Sequence, residues 1–103
     1  MSGMEERAYR QSRICRLLGN PLAFSIVHLL TENRDLTTSQ FARSVGGSVS
    51  RVSHVLGALR MTEVVRYETN GKLAKYRLKH PRQTRQVLNA LAQFIDSTSP
   101  SGR

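Results

Sequence analysis

The sequence is poor in the features on which disulfide frameworks, membrane spans and catalysis depend. Cys15 is the single cysteine, so neither an intrachain disulfide nor a multi-cysteine zinc site can form within one chain. The most apolar stretch, Ile26 to Leu30, is far too short to cross a bilayer. No charged-then-apolar leader with a small-residue cleavage site opens the chain, which makes a cytoplasmic protein without a membrane partner the expectation. There is no Gly-rich phosphate loop, no paired-carboxylate constellation and no nucleophile with a base at recognisable spacing. An enzyme is therefore not expected, and no cofactor is implied. Acidic residues are also scarce, with seven Asp and Glu against sixteen Lys and Arg. The resulting net charge of +9 points to a polyanionic partner.

What is present reads as a single domain over residues 1–96, since 103 residues at 39% apolar support one modest core. The remainder, 97–103, is a polar tail with nothing to bury and is expected to be disordered. A first helix from about Glu5 to Leu18 ends at Gly19, after which Asn20 can cap a second with Pro21 in its first turn. That second helix runs to about Leu30. Its apolar positions cover more than half of its circumference, as in a central buried helix. Thr37 or Thr38 can cap a third, short helix through Val45, stopped by Gly46-Gly47. Ser48 or its neighbour can cap a fourth through Arg60, where Val52, Val55, Leu56 and Leu59 recur at the helical period. Two short helices split by a glycine turn have the form of a helix-turn-helix. β-prone runs on either side of Asn70-Gly71 predict a hairpin turning at that pair. Pro81 then opens a last helix, which carries an apolar stripe.

From Leu17 to Leu78 the chain resembles the ArsR/SmtB family of repressors. Leu18-Gly19-Asn20-Pro21-Leu22-Ala23-Phe24 through Leu30 is similar to the family's opening motif, with Phe24 in place of its usual arginine. Gly47-Ser48-Val49-Ser50-Arg51-Val52-Ser53-His54 through Arg60 resembles its recognition helix. Val64-Val65-Arg66 and Lys75-Tyr76-Arg77-Leu78 resemble the start and end of its wing. The resemblance implies a mainly α winged helix-turn-helix of about five helices with a small β-hairpin wing, dimerising through its first and last helices.

Only the first turns of a recognition helix reach base edges in the major groove of double-stranded DNA. That selects Ser48, Val49, Ser50, Arg51, Ser53 and His54, with Arg51 the best suited to a guanine edge or a phosphate. Ser48 could instead merely cap, and His54 could be idle on the surface. Arg66, Lys72 and Lys75 are candidate wing contacts to the minor groove or to phosphates, Lys72 foremost. Alternation would set Lys72 and Ala74 on one face and Leu73 and Lys75 on the other. Tyr67 and Tyr76 read as packing rather than as a stacking platform. Arg7, Arg10, Arg13 and Arg16 read as a solvated stripe on the first helix, the alternative being that a dimer presents them to flanking DNA.

The apolar residues Ile14, Leu17 and Leu18, with Leu88, Leu91, Phe94 and Ile95, exceed what so small a core can cover, and so predict a homodimer interface. The family's helix-three metal thiolates are replaced here by Thr37 and Ser39, and His28, His54 and His80 lack ligand spacing. No metal site is expected. Cys15 reads first as a small buried hydrophobe and, as an alternative, as a redox switch between Arg13 and Arg16. The leading function is a sequence-specific regulator, a homodimeric repressor on a near-palindromic operator, whose effector is unknown. The competing function is an architectural DNA-binding or protein-interaction module with the same fold.

Overall fold

Capping chemistry sets the boundaries of the first elements in the computed structural model, which describes residues 3–98. Helix α1 (Gly3–Leu18) closes where the Gly19 N–H donates to the Cys15 carbonyl at 2.9 Å. Helix α2 (Pro21–Glu32) starts at once, because Asn20 Oδ1 accepts from the N–H groups of Leu22 and Ala23 at 2.9 and 3.1 Å. Helix α3 (Thr38–Val45) opens with a reciprocal pair. Thr37 Oγ1 accepts from the Gln40 N–H at 3.2 Å, and Gln40 Oε1 accepts from the Thr37 N–H at 2.8 Å. Gly46 ends α3 in the left-handed conformation, φ 71°, where a Cβ would be strained. Helix α4 (Val49–Met61) follows, and Ser48 Oγ caps it by accepting from the Arg51 N–H at 3.1 Å.

Strands β1 (Val65–Asn70) and β2 (Leu73–Leu78) pair antiparallel in the register Val65 to Leu78, Tyr67 to Tyr76 and Asn70 to Leu73. The loop residues are therefore Gly71-Lys72, one position later than the expected Asn70-Gly71. Gly71 takes φ 67° while Lys72 does not enter positive φ, the pattern of a turn with glycine at its first central position. Burial imposes the shift, since this register sets Val65, Tyr76 and Leu78, all buried, on one face of the ribbon. Lys72 consequently sits in the turn, not on the face of Ala74. Leu36 holds the other edge of β2 through a two-bond bridge to Tyr76 at 2.9 and 3.1 Å.

Helix α5 (Pro81–Thr98) takes in Ser97 and Thr98, so the helix overruns the expected tail by two residues, and residues 99–103 lie outside the described part. Around α2 the core gathers Ile26, Val27 and Leu30 with Phe41 of α3, Val52, Leu56 and Leu59 of α4, and the buried face of the hairpin. Each fully buried large aliphatic or aromatic side chain there contributes about 1.5–3 kcal/mol.

Two glycine substitutions separate backbone strain from helix propensity. Gly46→Ala forces a Cβ into positive φ and is expected to lower unfolding free energy by about 1 kcal/mol. Gly57→Ala, inside α4 with no atom within 4 Å of the new Cβ, is expected to raise it by as much as about 1 kcal/mol. Urea titration of both variants measures this, and a shift of the same sign in both would refute the argument.

Candidate nucleic-acid interface

Helix α4 buries Val52, Leu56 and Leu59 completely. With 3.6 residues per turn, the diametrically opposite strip is then Ser50, His54, Gly57 and Met61. Arg51 and Ser53 flank that strip, and Ser50, Arg51, Ser53 and His54 are all exposed. None of these four side chains makes a hydrogen bond or ion pair among the described residues. Val49 is half exposed at the first turn. No acidic residue occurs anywhere in α4, so nothing on this surface repels a phosphate backbone. Ser48 differs from the others because its oxygen is engaged as the cap.

Gly57 and Met61 escaped the sequence reading, which concentrated on the first turns. Met61 is 79% exposed, and the signal that finds it is its spacing of i+7 from His54. Gly57 leaves the middle of the strip without a side chain, so another molecule can approach the backbone closely.

On the hairpin the expected cations are unequal. The face turned away from the core carries Arg66, Glu68, Lys75 and Arg77. One carboxylate, Glu68, takes both guanidinium groups, with Arg77 Nη2 at 2.6 and 2.8 Å from its two oxygens and Arg66 Nη2 at 3.4 Å. Lys75 lies 3.6 Å from Asp35. Arg66 and Lys75 are thus partly neutralised, whereas Lys72, exposed in the turn, has no carboxylate partner among the described residues. Tyr76 is buried and Tyr67 half exposed, with ring centroids 5.1 Å apart. The Arg60 guanidinium lies over the Tyr67 ring at 4.6 Å, which ties the end of α4 to β1.

The connection from α4 to β1 is short and strained. Glu63 adopts φ 64°, a conformation that costs a non-glycine residue roughly 1–2 kcal/mol. It is held by the Glu63 N–H on the Arg60 carbonyl and the Val64 N–H on the Leu59 carbonyl, both at 2.9 Å. Lys79 Nζ donates to Glu63 Oε1 at 2.6 Å. That hydrogen bond and the lysine charge hold the Glu63 carboxyl below its ordinary value of 4.5.

Helix α5 buries only Leu88, which belongs to the chain's own core although it was expected at a dimer interface. Leu91, Phe94 and Ile95 are 42%, 66% and 60% exposed, and Val87 joins them at 46%. On α1, Ile14, Leu17 and Leu18 are half buried. Cys15 is exposed in the single chain, contrary to the expectation of a buried hydrophobe, because it lies on the outer side of α1 while Leu17 and Leu18 take the inward positions. Arg7, Arg10, Arg13 and Arg16 are exposed as expected. Thr37, at the family's thiolate position, is committed to its cap. Among the described residues no three His, Cys, Asp or Glu side chains gather as metal ligands, and no single helix is long and apolar enough to cross a membrane.

No protein-family model matches the sequence, and no curated protein matches it significantly. Solved structures match closely in fold. The transcriptional repressor BigR from Xylella fastidiosa superposes with a TM-score of 0.75 at 27% identity, over 91% of this chain and 96% of that one. NolR from Sinorhizobium fredii gives 0.78 at 22% identity, over 91% and 93%. The chain has the fold of the ArsR/SmtB-type winged helix regulators. A third structure of that type, Mb0332 from Mycobacterium bovis, described as a homodimeric winged helix-turn-helix DNA-binding domain, gives 0.75 at 22% identity over 94% and 88%. In winged helix terms α3 and α4 form the helix-turn-helix, α4 stands at the position of the recognition helix, and β1 and β2 stand at the position of the wing.

The Glu63 ion pair yields a pH prediction. Because its folded-state value is depressed, the pair supports the folded state above pH 4.5 and loses that effect as pH falls through the lowered value. Lys79→Gln is expected to return the Glu63 midpoint toward 4.5 in an NMR titration of the carboxyl carbon. An unmoved midpoint would remove Lys79 as the cause.

Proposed function

We propose that the protein is a sequence-specific regulator that binds double-stranded DNA as a homodimer, acting as a repressor on a near-palindromic operator. The observation that carries this reading is the outward strip of α4. Its polar side chains are exposed, free of internal partners and without an acid among them, in a chain of net charge +9. Arg51, Ser50 and Ser53 read base edges and His54 lies between them, since each stands on the half of the helix that the core leaves open. Lys72 approaches phosphate or the minor groove from the wing turn, with Arg66 and Lys75 in lesser roles because carboxylates already hold them. Ser48 acts as a cap whose hydroxyl hydrogen is still available to a phosphate.

Dimerisation is supported by the bareness of α5, an 18-residue helix with one buried side chain. A second copy laid along Leu91, Phe94 and Ile95 covers that stripe, and Ile14, Leu17 and Leu18 of α1 contribute to the same interface. Two recognition helices related by a two-fold axis then enter successive major grooves. Mb0332 is described as homodimeric, which agrees with this arrangement.

Binding to genomic fragments, followed by anisotropy on the selected duplex and on scrambled duplexes, tests the reading. Arg51→Ala is expected to weaken the selected duplex by about 1–3 kcal/mol and to relax preference at one base position, while Lys72→Ala weakens all duplexes alike. Equal binding of selected and scrambled DNA by the unmodified protein would favour an architectural role instead. Phe94→Asp is expected to shift the sedimenting species from dimer to monomer. A dimer that survives this change would place the interface elsewhere.

A further inference from the structure

The base of the wing, at the opposite end of the hairpin from Lys72, holds a second concentration of positive charge that the DNA-reading strip does not use. A cleft of about 480 Å³ opens there between the end of α2, the outer face of the hairpin and the start of α5. Five cations from five separate segments line it, namely Arg34 after α2, Arg66 on β1, Arg77 on β2, Lys79 beyond β2 and Arg85 on α5. The carboxylates engaged with them or lining the cleft are Glu32, Glu63 and Glu68. Five cations against three carboxylates leave a surplus of two positive charges.

The cleft is built rather than incidental. Arg85 Nη2 donates to the Thr31 carbonyl at 3.1 Å, across 54 residues of sequence, which fixes that guanidinium at the α2 wall. Arg77 is fixed by its two bonds to Glu68, and its Nε is buried with no acceptor. Arg34 has no carboxylate partner among the described residues. The first turn of α5, which opens on this cleft at Pro81, contains no acid to balance its positive end.

We propose that this cleft binds a small compact polyanion of the phosphoryl class, such as a diphosphate or the phosphoryl group of a small metabolite. Arginine forks suit phosphate oxygens, and the volume admits a molecule of that size but no duplex. A DNA backbone fits less well. The cleft lies five strand residues from the wing turn, about 17 Å at the rise of an antiparallel strand, and none of the α4 strip lines it. Nor does any exposed residue of the α5 stripe, so a dimer formed along that stripe leaves the site open. An anion here ties α2 and α5 to the wing, so its occupancy alters how the wing is held. This effector role rests on the DNA-binding reading above, whereas the anion site does not.

Calorimetric titration of the full-length chain with inorganic pyrophosphate, without divalent cations and at constant ionic strength, tests the site directly. Saturable binding of one pyrophosphate per chain is expected, with orthophosphate at least tenfold weaker. Arg34→Gln and Arg85→Gln, measured separately, are each expected to cost tenfold or more while leaving the folded-state circular dichroism unchanged. Arg51→Ala is expected to leave pyrophosphate affinity unaltered. Citrate at equal charge binding as well as pyrophosphate, or affinity indifferent to both cleft variants, would reduce the effect to general screening of a basic protein and overturn the proposal. Loss of DNA affinity in the Arg34 and Arg85 variants without any pyrophosphate binding would reassign the cleft to the DNA backbone. Pyrophosphate binding that persists in a protein indifferent to DNA sequence would sink the regulator reading and leave the anion site standing.

Discussion

The burial of Val52, Leu56 and Leu59 against α2 and α3 is the constraint on which the remaining features of this molecule depend. A helix has one circumference. Committing those three positions to the core leaves Ser50, His54, Gly57 and Met61 on the far side, with Arg51 and Ser53 at the margins. The same packing sets the height of the wing, because Val65, Tyr76 and Leu78 close the core from the side and carry the hairpin with them. Leu36 clamps the outer edge of β2, and the strained turn at Glu63 joins the end of α4 to β1. Helix α4 and the wing are therefore carried by one core.

Charge is distributed around that arrangement in three ways. On α4 it stands alone, with Arg51 and Arg60 and no acid. On the outer face of the hairpin it is internally compensated, where one carboxylate holds two guanidinium groups. At the base of the wing compensation is incomplete. Exposed ion pairs of this kind contribute little to stability. Their effect is positional, since they hold Arg66 and Arg77 against the sheet and leave Lys72 as the unpaired cation at the wing turn.

Much of this was legible in the sequence. The caps at Asn20, Thr37 and Ser48, the glycine stop at Gly46, and the 3.6-residue recurrence of Val52, Val55, Leu56 and Leu59 placed α2, α3 and α4 to within a residue or two, because all are local signals. The hairpin was legible but its register was not. The Asn-Gly pair is a local preference, and the alignment of buried residues across two strands overrode it by one position. Pairing of the wing cations was hidden for a related reason, since Asp35 and Glu68 meet Lys75 and Arg77 only once the chain folds back. The exposure of Cys15 followed from which side of α1 turns inward, a matter the mixed composition of that helix left open. Distant convergence also explains why the cleft at the base of the wing, drawn from five segments, left no motif.

In the proposed complex the open face of α4 and the wing turn meet DNA together. Amide chemical-shift mapping of the isotope-labelled protein, titrated with a duplex selected from genomic fragments, tests it most directly. The largest shifts are expected at Val49 to His54 and at Gly71 and Lys72, with Leu91 to Ile95 unmoved. Shifts centred on the arginine ridge of α1 or on the base of the wing, with α4 silent, would contradict it.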